Sequence, residues 1–164
     1  MQTYDRDTLK NLFNGKLAWQ ELKNMMSSYK DPNRFEEMLA ILQEQVPWDD
    51  RILLPYALHL YVVQKNDGRR VIKCDCGHEF CDVKDNWKLH AKIYVRDTQE
   101  KMEEIYPKFM GSDTNWMVLR EYFCPECMTQ LEVEAVPPGY PIIHDFEPDI
   151  DTFYRDWLGK PLSD

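Results

Sequence analysis

Five cysteines fall into two tight groups, Cys74, Cys76 and Cys81 in one and Cys124 and Cys127 in the other, and no other feature constrains the fold as much. The second group reads Phe123-Cys124-Pro125-Glu126-Cys127. A C-P-x-C turn is a zinc knuckle: proline stiffens the turn and both sulfurs point at one ion. The first group reads Cys74-Asp75-Cys76-Gly77-His78, where glycine directly after the second sulfur suits a tight turn with amides aimed at thiolates. Two knuckles and the stretch between them make a zinc ribbon held by Cys74, Cys76, Cys124 and Cys127. The stretch between is 47 residues, 77 to 123, and loop entropy grows slowly enough to allow it. The first pair is C-x-C where ribbons usually have C-x2-C, so Cys81 or His78 stands as an alternative ligand in place of one of that pair.

Packing alone rarely groups thiols this way, although single free cysteines are often buried. A redox role for Cys124 and Cys127 lacks the surrounding βαβ pattern it needs. Four thiolates close a zinc site, so the expected metal is structural. A zinc hydrolase would need an open position that this ligand set denies.

The rest of the chain supplies the elements for an α+β fold. A helical arm is expected over 1–50. Leu17, Ala18, Leu22, Met25 and Met26 form an apolar stripe, and Asn14-Gly15 divides residues 3–29 into two helices. Asp31-Pro32 is read as the start of a third, with Phe35, Met38, Leu39, Leu42 and Val46 on one face and Pro47 as its stop. A β-rich ribbon is expected over 57–136. Its strand from Ala57 turns at Asn66-Asp67-Gly68 into the first knuckle, and Leu89 to Val95 is a further strand. Asp97 and Glu100 read as a capping box for a helix that ends near Pro107. Strands Trp116–Phe123 and Leu131–Val136 enter and leave the second knuckle. Pro137-Pro138-Gly139 then breaks the chain, and a C-terminal arm over 137–164 carries a helix from Ile150 to Leu158 capped by Gly159. The expected whole is a single zinc-binding domain over 1–164: antiparallel zinc-ribbon hairpins, N-terminal helices and a C-terminal helical arm.

Charge and motif content exclude several function classes. With 20 basic and 29 acidic residues the chain is formally −9, which disfavours phosphate backbones and anionic membranes, so neither nucleic acid nor membrane is an expected partner. No apolar run approaches the length of a membrane span, and the first ten residues hold no apolar signal core; a cytoplasmic protein is expected. Phosphate-binding glycine loops and the common hydrolase motifs are absent. His144-Asp145 is adjacent rather than facing, and Asp49-Asp50-Arg51 reads as a turn. No catalytic residue is assigned.

Longer strings carry a resemblance. The run Cys74-Asp-Cys-Gly-His-Glu-Phe-Cys81, then Lys84-Asp-Asn-Trp-Lys-Leu89, Val95-Arg-Asp-Thr98 and Lys101-Met-Glu-Glu-Ile-Tyr-Pro107 resemble the small (gamma) subunit family of acetone carboxylase. So do Val46-Pro-Trp-Asp-Asp50, Arg120-Glu-Tyr-Phe-Cys-Pro-Glu-Cys127 and Tyr140-Pro-Ile-Ile-His-Asp-Phe146. The resemblance spans essentially the whole chain and extends to the small subunit of acetophenone carboxylase. It implies a zinc-carrying, non-catalytic subunit of an α2β2γ2 ligase that carboxylates acetone to acetoacetate. ATP, Mg2+ and Mn2+ would then be bound by the larger alpha and beta subunits. The competing class is a free-standing zinc-ribbon adaptor without enzymatic activity.

Overall fold

Strand β2 (Leu60–Gln64) is buried along four of its five residues, and the fold is layered around it. Its odd and even side chains face different cores. Leu60 and Val62 point toward the main cluster, whereas Tyr61 and Val63 pack with Ile52 and Val71 against a helix. Alternation along a strand buried on both faces produces this division.

The computed structural model describes residues 3–162. Three helices come first: α1 (Arg6–Phe13), α2 (Trp19–Ser27) and α3 (Arg34–Gln45). The Asp5 carboxylate caps α1 by accepting from the Thr8 amide at 2.9 Å. Leu9, Met25 and Ile41 knit the three helices together. Leu39, Leu42 and Val46 carry α3 onto the first sheet. That sheet is an antiparallel meander in the order β1-β2-β3-β4, with β1 (Arg51–Ala57), β3 (Arg70–Cys74) and β4 (Glu79–Asp82). A second meander follows, β5-β6-β7, formed by Lys92–Arg96, Val118–Phe123 and Gln130–Val136. A 3-10 turn (Trp87–His90) links the sheets, and α4 (Gln99–Glu103) lies between β5 and β6. The main core fills the space between sheets: Leu53, Leu60, Val62 and Ile72 from the first meet Tyr122, Cys124 and Leu131 from the second, with Trp87 between them.

The architecture is α+β with antiparallel hairpin sheets, N-terminal helices and a C-terminal helix. Several boundaries differ from expectation. Helix α3 begins at Arg34, because Asp31 spends its carboxylate on the amides of Tyr4 and Asn33 and leaves Asn33 as the cap residue. Strand β1 was not foreseen, and Leu58-His59 is a turn instead of strand, with His59 at φ +63°. Leu89 belongs to the 3-10 turn, so β5 starts at Lys92. The cap of α4 is Thr98, not Asp97, whose carboxylate instead pairs with Lys101 at 2.7 Å.

The C-terminal helix is short. Helix α5 (Ile150–Thr152) passes directly into a π-helical turn, Phe153–Trp157. Ile150 and Tyr154 are buried in the main core, while Trp157 is 78% exposed. The segment therefore packs back onto the first sheet and α3 through one face. No helix among the described residues is long and apolar enough to cross a membrane.

Candidate metal centre

Each cysteine pair sits at the tip of a hairpin, one hairpin per sheet. Cys74 ends β3 and Cys76 lies in the turn to β4; Cys124 follows β6 and Cys127 lies in the turn to β7. The turns close by backbone bonds. In the first, the Cys74 amide donates to the His78 carbonyl and the Gly77 amide to Cys74, both at 2.9 Å. In the second, the Cys124 amide donates to Thr129 at 2.9 Å and the Met128 amide to Cys124 at 3.0 Å. Gly77 adopts φ +104°, a backbone that side chains avoid, and a Cβ there would also lie 3.3 Å from the Trp48 ring.

Packing of the two sheets brings the four sulfurs of Cys74, Cys76, Cys124 and Cys127 within 4.8 Å of one another. The Cys74 and Cys127 sulfurs are 3.8 Å apart, and those of Cys76 and Cys124 3.7 Å. Tetrahedral coordination with metal–sulfur bonds of about 2.3 Å requires sulfur–sulfur edges of about 3.8 Å. The observed spacing fits a zinc-sized ion held by four thiolates, and it exceeds a disulfide bond by far. Burial pushes the thiols of Cys74 and Cys76 up from their ordinary values. Burial acts the same way on Cys127, but hydrogen bonds from the Thr129 hydroxyl and amide outweigh it and bring that thiol down to about 6.

Cys81 and His78 lie outside this group. The Cys81 sulfur faces the Asp85 carbonyl at 3.6 Å, and burial, with Asp85 and Asp82 nearby, raises its thiol to about 11. The His78 ring stands edge-on to Phe80, 4.9 Å between centroids, with Nδ1 3.6 Å from the Glu126 carboxylate. His144 and Asp145 take separate partners, the Tyr56 hydroxyl at 3.3 Å and Lys88. Asp50 binds Lys65 at 3.1 Å and Lys73 at 2.5 Å, so it serves an ion-pair cluster.

One charged cluster escaped the sequence reading. Lys88 is 1% exposed, and its ammonium is surrounded by the carboxylates of Glu132, Glu134 and Asp145. Tyr122 donates to Glu134 at 2.5 Å, and Arg120 stands 3.7 Å from the same carboxylate. A lysine held by three carboxylates in this way is a clasp between β7, the 3-10 turn and the C-terminal segment. Its only sequence signal is the alternation of Glu132 and Glu134 along β7.

A sequence profile described as "Acetone carboxylase gamma subunit" matches residues 46–158, which include both knuckles and both sheets. The chain belongs to the acetone carboxylase gamma subunit family. It is 51% identical over 162 residues to the acetone carboxylase gamma subunit of Xanthobacter autotrophicus, covering 98% of this chain and 96% of that one. It is also 32% identical over 80 residues to the acetophenone carboxylase beta subunit of Aromatoleum aromaticum, covering 48% of this chain and 62% of the relative. The family match leaves out most of the helical arm, whereas the full-length relative spans it.

Proposed function

We propose that this chain is the gamma subunit of a multi-subunit, ATP-dependent carboxylase that joins acetone and bicarbonate to give acetoacetate. In this reading the chain is one zinc-binding unit over 1–164. Its zinc is structural, and ATP, Mg2+ and Mn2+ are bound by two larger subunits in an α2β2γ2 assembly. The observation that carries the reading is the full-length 51% identity to a named gamma subunit. The closed four-sulfur geometry supports the structural role: when bound, the ion cross-links two hairpins. Cys74, Cys76, Cys124 and Cys127 hold it, and no side chain is assigned to the reaction.

Tagged chain isolated from its native host tests this directly. Two larger polypeptides should co-purify, and the assembly should form acetoacetate with ATP, acetone and bicarbonate while the isolated chain does not. Recovery of the chain alone would favour the free-standing adaptor. Acetoacetate formation by the isolated chain would refute the non-catalytic role.

A further inference from the structure

The two knuckles are held in different ways. The Cys124-to-Cys127 turn is closed locally: proline sits inside it, and its backbone bonds run to Met128 and Thr129. The Cys74-to-Cys76 turn has one residue fewer between its sulfurs; besides its own two backbone bonds, it takes further restraints from elsewhere in the chain. Two peptide groups lie between those cysteines, both flanking Asp75. The Asp75 amide donates to the His59 carbonyl at 3.1 Å. Its carbonyl accepts from the Trp48 Nε1–H at 3.0 Å. The Asp75 carboxylate is also engaged, with Oδ2 2.5 Å from His59 Nδ1. Trp48 arrives from the segment between α3 and β1, and its ring lies over Gly77 at the end of the same turn. Tyr61 and Lys73 fix that ring in turn, at 6.0 Å between ring centroids and 4.7 Å from ammonium to ring. His59 sits in the β1–β2 turn at φ +63°, a conformation few side chains adopt without cause.

We infer that Trp48 and His59 are positioning residues of the metal centre, adding by outside contacts to the two backbone bonds with which the shortened C-x-C turn closes itself. The inference rests on the reading that the four cysteines hold zinc. The pair fixes both peptide planes between Cys74 and Cys76, and so fixes the separation and direction of their sulfurs. Partners of this kind, one step behind the ligands, govern affinity by ordering the ligands before the ion arrives.

Full-length protein carrying Trp48→Phe keeps a ring over Gly77 and loses only the indole donor. His59→Asn keeps a residue that tolerates positive φ and the main-chain carbonyl that accepts from the Asp75 amide, and loses only the imidazole contact that holds the Asp75 carboxylate. Zinc affinity by chelator competition should fall about 10- to 100-fold in each variant. With cobalt in place of zinc, the ligand-field bands should broaden and shift, because the sulfur positions relax. Leu9→Ala, in the distant helical cluster, is the control for general destabilisation and should leave affinity and spectrum unchanged. If either variant fails to fold, the other carries the same measurement. Zinc affinity within twofold of wild type, with an unaltered cobalt spectrum, overturns the inference. Wild-type protein that binds no zinc at all overturns the underlying metal reading instead.

Discussion

The Tyr154 hydroxyl donates to the Leu53 carbonyl at 2.7 Å, joining residues 101 positions apart. Strand β1 is an edge strand with an irregular register, and this bond comes from the C-terminal π-helical turn. Tyr154 is 5% exposed and touches Phe35 of α3 edge-on. The last segment is thus bonded into the first sheet.

Tyr154→Phe should therefore cost about 1–3 kcal/mol, since it strands a buried carbonyl without changing the ring. Tyr154→Ala should cost about 3–5 kcal/mol through the cavity it leaves. Trp157→Ala, three residues on but exposed, should stay within about 0.5 kcal/mol. Urea unfolding of the three variants checks the ranking, and equal losses would contradict it.

Lys88→Met should be strongly destabilising, by about 3–5 kcal/mol, because it leaves Glu132, Glu134 and Asp145 crowded without their shared cation. Changing Glu132 and Glu134 to glutamine together with Lys88→Met should recover part of that loss. Thermal unfolding of the single and triple variants measures it.

Asp50 should make stability depend on pH. Burial pushes its carboxyl up, but the Lys73 and Lys65 ammonium groups outweigh burial and hold it below the usual value. A depressed carboxyl contributes fully above its unfolded value near 3.8 and loses that contribution as pH falls through the lower folded value. Asp50→Asn should cost about 2 kcal/mol at pH 7 and progressively less below pH 4. Denaturation at several pH values gives the curve.

Metal affinity should fall on acidification. Cys74 and Cys76 are held as thiols at neutral pH, so binding must displace at least two protons. Apparent affinity should drop by about two powers of ten per pH unit near neutrality. Chelator competition from pH 6 to pH 8 measures the slope, and a flat profile would mean the thiols are not the ligands.

Single serine substitutions separate the cysteines. Cys74→Ser, Cys76→Ser, Cys124→Ser and Cys127→Ser should each lose bound metal, and Cys81→Ser should keep it. Elemental analysis decides, and metal loss from Cys81→Ser alone would move the ligand assignment.

The knuckles and their flanking strands were legible because each rests on local signals: cysteine spacing, Asn66-Asp67-Gly68 between β2 and β3, and the apolar run Leu60 to Val63 in β2. Strand β1 was hidden by Pro55, which argues for a break; an edge strand with two register shifts tolerates it. Strand β7 inverts the usual rule, with Glu134 turned inward beneath Lys88 and Val133 48% exposed. Alternation finds such a strand but not which face is inside, since that depends on Lys88, which precedes Glu134 by 46 residues. The roles of Trp48 and His59 were equally out of reach, because both depend on contacts with Asp75 across the fold.

The order of strands bears on how the molecule assembles. Within each sheet every strand pairs with its neighbour in sequence, so the first meander closes only short loops as it forms, and the second adds one longer connection, 97–117, that holds α4. The costly step is the approach of one finished meander to the other, and Cys74 meets Cys127 only there, across 53 residues. An ion captured first by the locally closed Cys124-Cys127 turn would wait on a half-built site and be locked in by that approach. Metal supply would then act on the late docking step and leave the early formation of the hairpins untouched.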